Sequence, residues 1–191
     1  MDVERYAGCG VLGYDPGTVE STRTLRNYRI NEIAFEVYDE AASVAAQRVI
    51  VELANDIYGF ERIPFEPNDI VIDIGAHVGL VSIYLAKRWP FLRIHAFEPH
   101  PANHRNCADN LRLNGVSNVH LSPMGVSADR RPLILRSIRG NTGGATAIYD
   151  MAGAESSPAV ESLTLDDIFA TTLSPGQRCR LLKIDCEGAE Y

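Results

Sequence analysis

The chain has 191 residues, 46% hydrophobic and 23% charged, which is the size and composition of one globular domain with its own core and excludes a disordered chain. Eighteen Lys and Arg stand against 25 Asp and Glu, a net charge of −7 at pH 7. General binding to DNA, RNA or an anionic membrane is disfavoured, because phosphate binding runs mostly on Lys and Arg releasing counterions. No apolar run reaches the ~20 residues that span a bilayer, and Met1-Asp2-Val3-Glu4-Arg5 is not the start of a secretory signal. Cys9, Cys107, Cys179 and Cys186 form no CxxC pair and no zinc-finger spacing. Reduced thiols and a cytoplasmic location are the expectation.

Residues 1–28 are rich in Gly, Arg and Thr and weakly periodic, which predicts a loose arm. Residues 29–38 alternate, with Ile33, Phe35 and Val37 on one face and Glu32 and Glu36 on the other, which predicts a half-buried strand. Asp39 is then placed to cap a helix over about 40–58, with Val44, Ile50, Leu53 and Ile57 on its apolar side. Pro64 and Pro67 punctuate the chain. The expected division is 1–66, an arm, strand and helix packing on the core, and 67–191, the main domain.

From residue 68 strands and helices alternate. Ile70-Val71-Ile72-Asp73-Ile74 reads as a strand buried on both faces. Residues 78–89 read as a helix stopped by Pro90, and 92–97 as a strand. Residues 101–113 read as a helix with Pro101 in its first turn and Asn114-Gly115 behind it. A short strand is predicted at 119–122, and two more at 133–135 and 145–149, with Gly140-Asn141 and Gly143-Gly144 between them. Thr164 caps a short helix over 165–169, with Asp166 and Asp167 in its first turn. Leu181-Leu182-Lys183-Ile184-Asp185 reads as a last strand. This order predicts an α/β fold of three αβα layers around a parallel sheet, with ligands beyond the carboxyl ends of the strands.

Three groups of residues follow strands in that way. Asp73-Ile74-Gly75-Ala76-His77-Val78-Gly79 is a glycine turn between a strand and a helix, where backbone approaches a ligand closely. The dinucleotide fingerprint needs glycine where His77 and Leu80 stand, and no Gly-Lys-Ser/Thr follows, so neither NAD nor a nucleoside triphosphate fits. Glu98, in Phe97-Glu98-Pro99, ends the second core strand at an offset where an acid accepts hydrogen bonds from ribose hydroxyls. Ribose recognition without a pyrophosphate loop points to a nucleoside cofactor lacking a diphosphate. The third group, Lys183–Glu190, carries Asp185 and Glu187, two carboxylates able to take a proton, orient a substrate hydroxyl or hold a divalent cation. His100 and His104 share helical spacing, but with Pro101 between them a metal site is not expected. Residues 87–139 are locally basic, usually a solvated face and at most an attraction for an acidic substrate.

Residues 71–79, Phe97-Glu98-Pro99, Asn141-Thr142-Gly143-Gly144, the 160–167 stretch and 183–190 follow the order seen in FkbM-type methyltransferases. From about residue 29 onward the chain resembles that family, which is similar to other class I S-adenosylmethionine-dependent methyltransferases. The resemblance implies a Rossmann-like sheet with an N-terminal strand and helix extension. It implies seven strands where this chain supplies four core strands, so the sheet is expected to be truncated after the fourth. An exposed edge would then invite association into a homo-oligomer. Asp73, Gly75, Ala76, His77 and Gly79 would surround the methionine part of S-adenosylmethionine, with His77 standing where the family more often has Asn. Glu98 and Pro99 would lie at the ribose, Met124, Gly125 and Val126 by the adenine, and Asp185 near the transferred methyl. Asp185, with Glu187 second, would act on a hydroxyl of a small-molecule or glycosyl acceptor. A divalent cation is possible but not indicated, and no nucleic-acid or membrane partner is expected. The alternatives are a nucleic-acid methyltransferase, against which Asp185-Cys186-Glu187-Gly188 replaces Asn/Asp-Pro-Pro-Tyr, and a non-catalytic fragment that binds a nucleoside cofactor.

Overall fold

The computed structural model describes residues 23–137, 143 and 155–186. The strand expected at 145–149, Asn141, Thr142, Gly144, Cys9 and Glu187 lie outside the described residues.

The first element is an antiparallel hairpin of β1 (Arg23–Ile30) and β2 (Ile33–Glu40), closed by Asn31-Glu32 with Asn31 in the left-handed region at φ 52°. Two expectations change here. The loose arm becomes strand from residue 23; its half-buried face is Thr24, Arg26 and Tyr28, so the apolar alternation that announces a strand is missing. Asp39 is not a helix cap, because it shares the inward face of β2 with Phe35 and Val37 and is fully buried. The helix, α1, is Ala45–Ala54, shorter at both ends than expected, with Val44 at its N-cap. It stops at Asn55 and Asp56, and Ile57 is left 70% exposed. A 3₁₀ turn, Phe60–Arg62, leads into the core.

The core strands and helices are β3 (Ile70–Ile74), α2 (Leu80–Arg88), β4 (Arg93–Phe97), α3 (Pro101–Leu113) and β5 (Val119–Ser122). After β5 come four two-residue strands, β6 (Gly125–Val126), β7 (Arg136–Ser137), β8 (Glu155–Ser156) and β9 (Ser162–Leu163). The strand expected at 133–135 is an isolated bridge from Leu133 to Val160, and the unexpected partner of β6 is β9. Next, α4 (Leu165–Thr172) starts at Thr164, whose side chain accepts from the Asp167 N–H while the Asp167 carboxylate accepts from the Thr164 N–H. The last described strand is β10 (Cys179–Ile184).

Four strands form a parallel sheet in the order β10-β3-β4-β5. Alternation sorts the faces of β3. Ile70, Ile72 and Ile74 pack with Phe97 and Ile168 of α4, whereas Val71 packs toward α1, α2, α3 and the hairpin. Helices therefore cover both faces, as alternating β and α units require. The chain steps outward from β3 to β4 and β5, then returns to the other side of β3 as β10. That reversal opens a crevice beyond the carboxyl ends of β3 and β10.

Asn110 locks the hairpin to this crevice. It is fully buried on α3; its Nδ2 donates to the carbonyls of Tyr38 and Val78, both at 2.9 Å, and its Oδ1 accepts from the Tyr38 N–H at 2.7 Å. One side chain thus satisfies backbone groups of β2 and of the turn before α2. Replacing it leaves those groups unpaired in the core, so Asn110→Ala is expected to lower unfolding free energy by about 3 kcal/mol in urea titrations. A loss under about 0.5 kcal/mol would show that the buried bonds contribute nothing net.

Candidate functional site

Beyond Ile74 the chain turns at Gly75, with φ 79°. The N–H groups of Gly75 and Ala76 both donate to the Phe97 carbonyl, at 2.9 and 3.0 Å, tying the turn to the end of β4. A Cβ on Gly75 would stand 1.9 Å from the Asp185 carbonyl oxygen, so any larger residue forces the β3 and β10 ends apart. The Asp185 N–H donates to the Ile74 carbonyl at 3.0 Å and fixes the same approach from the other side. His77 is also left-handed, at φ 54°, and Gly79, at φ 90°, packs so close to Cys107 that a Cβ would meet its Sγ at 2.8 Å. Burial lowers the His77 pKa to about 4, which keeps its imidazole neutral at pH 7.

Glu98 follows β4 and is 5% exposed. Its Oε2 accepts from the His77 N–H at 2.7 Å and its Oε1 from the His100 N–H at 2.9 Å. The carboxyl thereby spans the glycine turn and the entry to α3. Burial raises its pKa to about 7, and the two backbone bonds oppose that rise. The Asn103 side chain bonds the same carboxyl, so of its about four lone-pair directions a ligand's hydroxyls would share the remainder with Asn103. Pro99 beside it is half-buried.

Asp73, fully buried, accepts from the Ser82 hydroxyl at 2.7 Å and pairs with the Lys183 Nζ at 3.2 Å. The same ammonium lies 3.5 Å from Asp185 Oδ2. Lys183 and Asp73 are register partners on neighbouring strands, and Lys183 and Asp185 are two residues apart, hence on one face. Burial opposes the ammonium, but the Asp73 and Asp185 carboxylates outweigh it and raise the Lys183 pKa above its ordinary value. The Asp185 side chain is 56% exposed. It opens on a cleft of about 460 Å³ lined by Lys183, Leu182, Tyr58, Phe60 and Glu52.

The structure brings Asp73, Gly75, Ala76, His77, Gly79, Glu98 and Asp185 to one crevice. Met124, Gly125 and Val126 sit beyond β5 and are largely taken up in packing. Met124 and Val126 lie against the Ile168 cluster, and the Gly125 N–H donates to the Glu161 carbonyl at 2.8 Å. Sequence reasoning missed Lys183, Ser82 and Asn110. The period of two in Lys183-Ile184-Asp185 was the available signal for Lys183; nothing local marks Ser82 or Asn110, whose partners lie on other elements. Among the described residues, no cluster of three His, Cys, Asp or Glu side chains is arranged to hold a metal ion, and no helix is long and apolar enough to cross a membrane.

A parallel sheet with a glycine turn and an acid at its topological switch defines an α/β domain built to bind a nucleoside cofactor. The Methyltransferase FkbM domain matches residues 73–191, a span that opens at buried Asp73 and includes Glu98 and Asp185. The chain belongs to that family, a class of S-adenosylmethionine-dependent methyltransferases. It is similar to Methyltransferase sdnD of Sordaria araneosa, 29% identical over 181 residues that cover 80% of this chain and 69% of that protein. It is also similar to Methyltransferase 1 of Beauveria bassiana, 25% identical over 173 residues, covering 82% and 69%. Among solved structures it is similar to M. jannaschii TYW2 in complex with AdoMet, at 20% identity and a TM-score of 0.40 over 55% of this chain. The chain spans 45% of that structure.

The raised Glu98 pKa makes stability depend on pH. The folded protein holds this proton up to about pH 7, whereas a free carboxyl releases it near 4.5. The cost of the buried carboxylate is absent below pH 4.5, grows between about 4.5 and 7, and is constant above that. Chemical denaturation across this window is expected to show the wild type losing stability relative to Glu98→Gln as pH rises, by about 2–3 kcal/mol in total. Parallel curves for the two proteins would contradict the assignment.

Proposed function

We propose that this domain binds S-adenosylmethionine in the crevice beyond β3, β4 and β10 and transfers its methyl group to a hydroxyl oxygen of a small molecule or sugar. The observation that carries the reading is Glu98, a buried carboxyl bonded to the backbone of the glycine turn, where ribose hydroxyls can take the place of its Asn103 side-chain partner. Gly75 lets the ends of β3 and β10 approach until its Cα meets the Asp185 carbonyl, which brings the glycine turn and Asp185 side by side. In this reading Asp73, Gly75, Ala76, His77 and Gly79 surround the methionine part, Glu98 and Pro99 hold the ribose, and Met124, Gly125 and Val126 border the adenine.

The sulfonium supplies an already activated methyl group, so the chain's task is alignment. Asp185, partly exposed at the cleft mouth, takes the proton of the acceptor hydroxyl, with Glu187 as second choice. Neutral His77 adds hydrogen bonds without a positive charge that would repel the sulfonium. The acidic balance of the chain favours a small acceptor over a polyanion such as nucleic acid. The reduced thiols Cys107 and Cys179 support a reducing, cytoplasmic setting.

Two substitutions test these roles. Calorimetric titration with S-adenosylmethionine is expected to show Glu98→Ala binding at least about tenfold more weakly, the loss of two hydrogen bonds to a charged acceptor. Asp185→Asn is expected to lower methyl transfer from labelled cofactor to a panel of sugars, polyols and phenols by about a hundredfold, while cofactor affinity changes far less. Unchanged affinity in Glu98→Ala would remove that residue from the ribose. Equal losses of turnover and affinity in Asp185→Asn would make Asp185 a binding residue.

A further inference from the structure

Two carboxylates and one ammonium lie in contact at the end of β3 and β10. Lys183 Nζ is 3.2 Å from Asp73 Oδ1 and 3.5 Å from Asp185 Oδ2, and no further acceptor of its three N–H groups exists among the described residues. Asp73 is fully buried and the Lys183 side chain is 9% exposed. Water therefore screens this group poorly on its inner side. His77, which faces the same group, is neutral, and the carboxyl groups of Asp39 beside His77, Glu98 toward Asp73 and Glu52 across the cleft stand around it. Lys183, Asp73 and Asp185 by themselves sum to one negative charge behind the Gly75 turn.

We propose that Lys183 is a specificity-determining residue for the cofactor: with Asp73 and Asp185 it fixes a net charge of −1 beside the methyl-bearing end, which favours the sulfonium of S-adenosylmethionine over the neutral thioether of S-adenosylhomocysteine. The inference rests on the cofactor reading above. Methyl transfer abolishes the ligand's positive charge, since the C–S bond breaks with its electron pair staying on sulfur. The same cluster that attracts the substrate cofactor therefore ceases to attract the product. Without Lys183, two uncompensated carboxylates would hold the sulfonium more tightly. Without Asp185, the cluster would be neutral and indifferent to it.

The test needs no acceptor. The ratio of the dissociation constants of S-adenosylhomocysteine and S-adenosylmethionine is measured by calorimetry on the full chain at low ionic strength and pH 7. Relative to wild type, Lys183→Met is expected to raise the ratio about three- to tenfold, Asp185→Asn to lower it by a similar factor, and Lys183→Arg to leave it within about twofold. A purely structural role for Lys183 would weaken both ligands together and leave the ratio fixed. A ratio that is invariant, or that moves in the same direction in Lys183→Met and Asp185→Asn, overturns the proposal. If wild-type chain binds neither ligand, the cofactor reading itself fails. Binding of both with an unchanging ratio removes only the charge argument. If Lys183→Met does not fold, Asp185→Asn decides the matter, since a ratio unchanged in that variant overturns the proposal by itself.

Discussion

The backbone approach of Gly75 to Asp185 is the constraint on which the site depends. Two parallel strands end side by side, and the loops beyond them would normally diverge. Here the Gly75 Cα faces the Asp185 carbonyl with no room for a methyl group, and the Asp185 N–H bonds back to Ile74. The glycine turn is consequently pressed against the β10 end on one side and held by the Phe97 carbonyl on the other. The three segments that hold the proposed site, after β3, β4 and β10, are fixed to each other by backbone before any side chain is considered. A site built this way keeps its geometry through changes of surface residues and loses it with one added carbon.

Side chains then place charge on that frame at a cost to stability. Burying Asp73 and Lys183 removes both from water, and a pair of this kind is worth little net unless further bonds complete it. The Ser82 hydroxyl and the Asp185 carboxylate supply them. Glu98 goes further, since its carboxyl is buried and the His100 and His77 N–H groups, with the Asn103 side chain, keep its ionised form accessible near neutral pH. A core that needed only stability would have apolar residues at these positions. The retention of three ionisable side chains in the crevice is what a ligand-binding role asks for, because a cofactor's own hydroxyls and charge complete the unsatisfied sites.

Much of the core was legible in the sequence because its signals are local. The β-branched run from Ile70 to Ile74, Pro101 at a helix start and the Thr164 cap each act within a few residues, and the structure starts those elements where expected, although α4 runs on to Thr172. The glycine turn and Glu98 were legible for the same reason, as strand-end residues of special chemistry. What escaped was decided by partners far along the chain. The strand from Arg23 presents polar side chains inward and gains its order from pairing with β2. Asp39 read as a cap because carboxylates often start helices, but its strand register buries it instead. Lys183 looked like one charged residue in a strand, and its role follows from the facing position of Asp73, more than a hundred residues earlier. Asn110 bonds to backbone on two other elements, a contact that no periodicity announces.

In the proposed function Glu98 and the Gly75 turn jointly grip a nucleoside. A crystal structure of the chain grown with S-adenosylhomocysteine tests it directly. The account predicts both ribose hydroxyls within about 3 Å of the Glu98 carboxylate oxygens and the amino-acid end of the ligand lying along residues 73–79. A ligand bound elsewhere, or a Glu98 side chain that keeps its bonds to His77, His100 and Asn103 while the ribose is held by other groups, would contradict it.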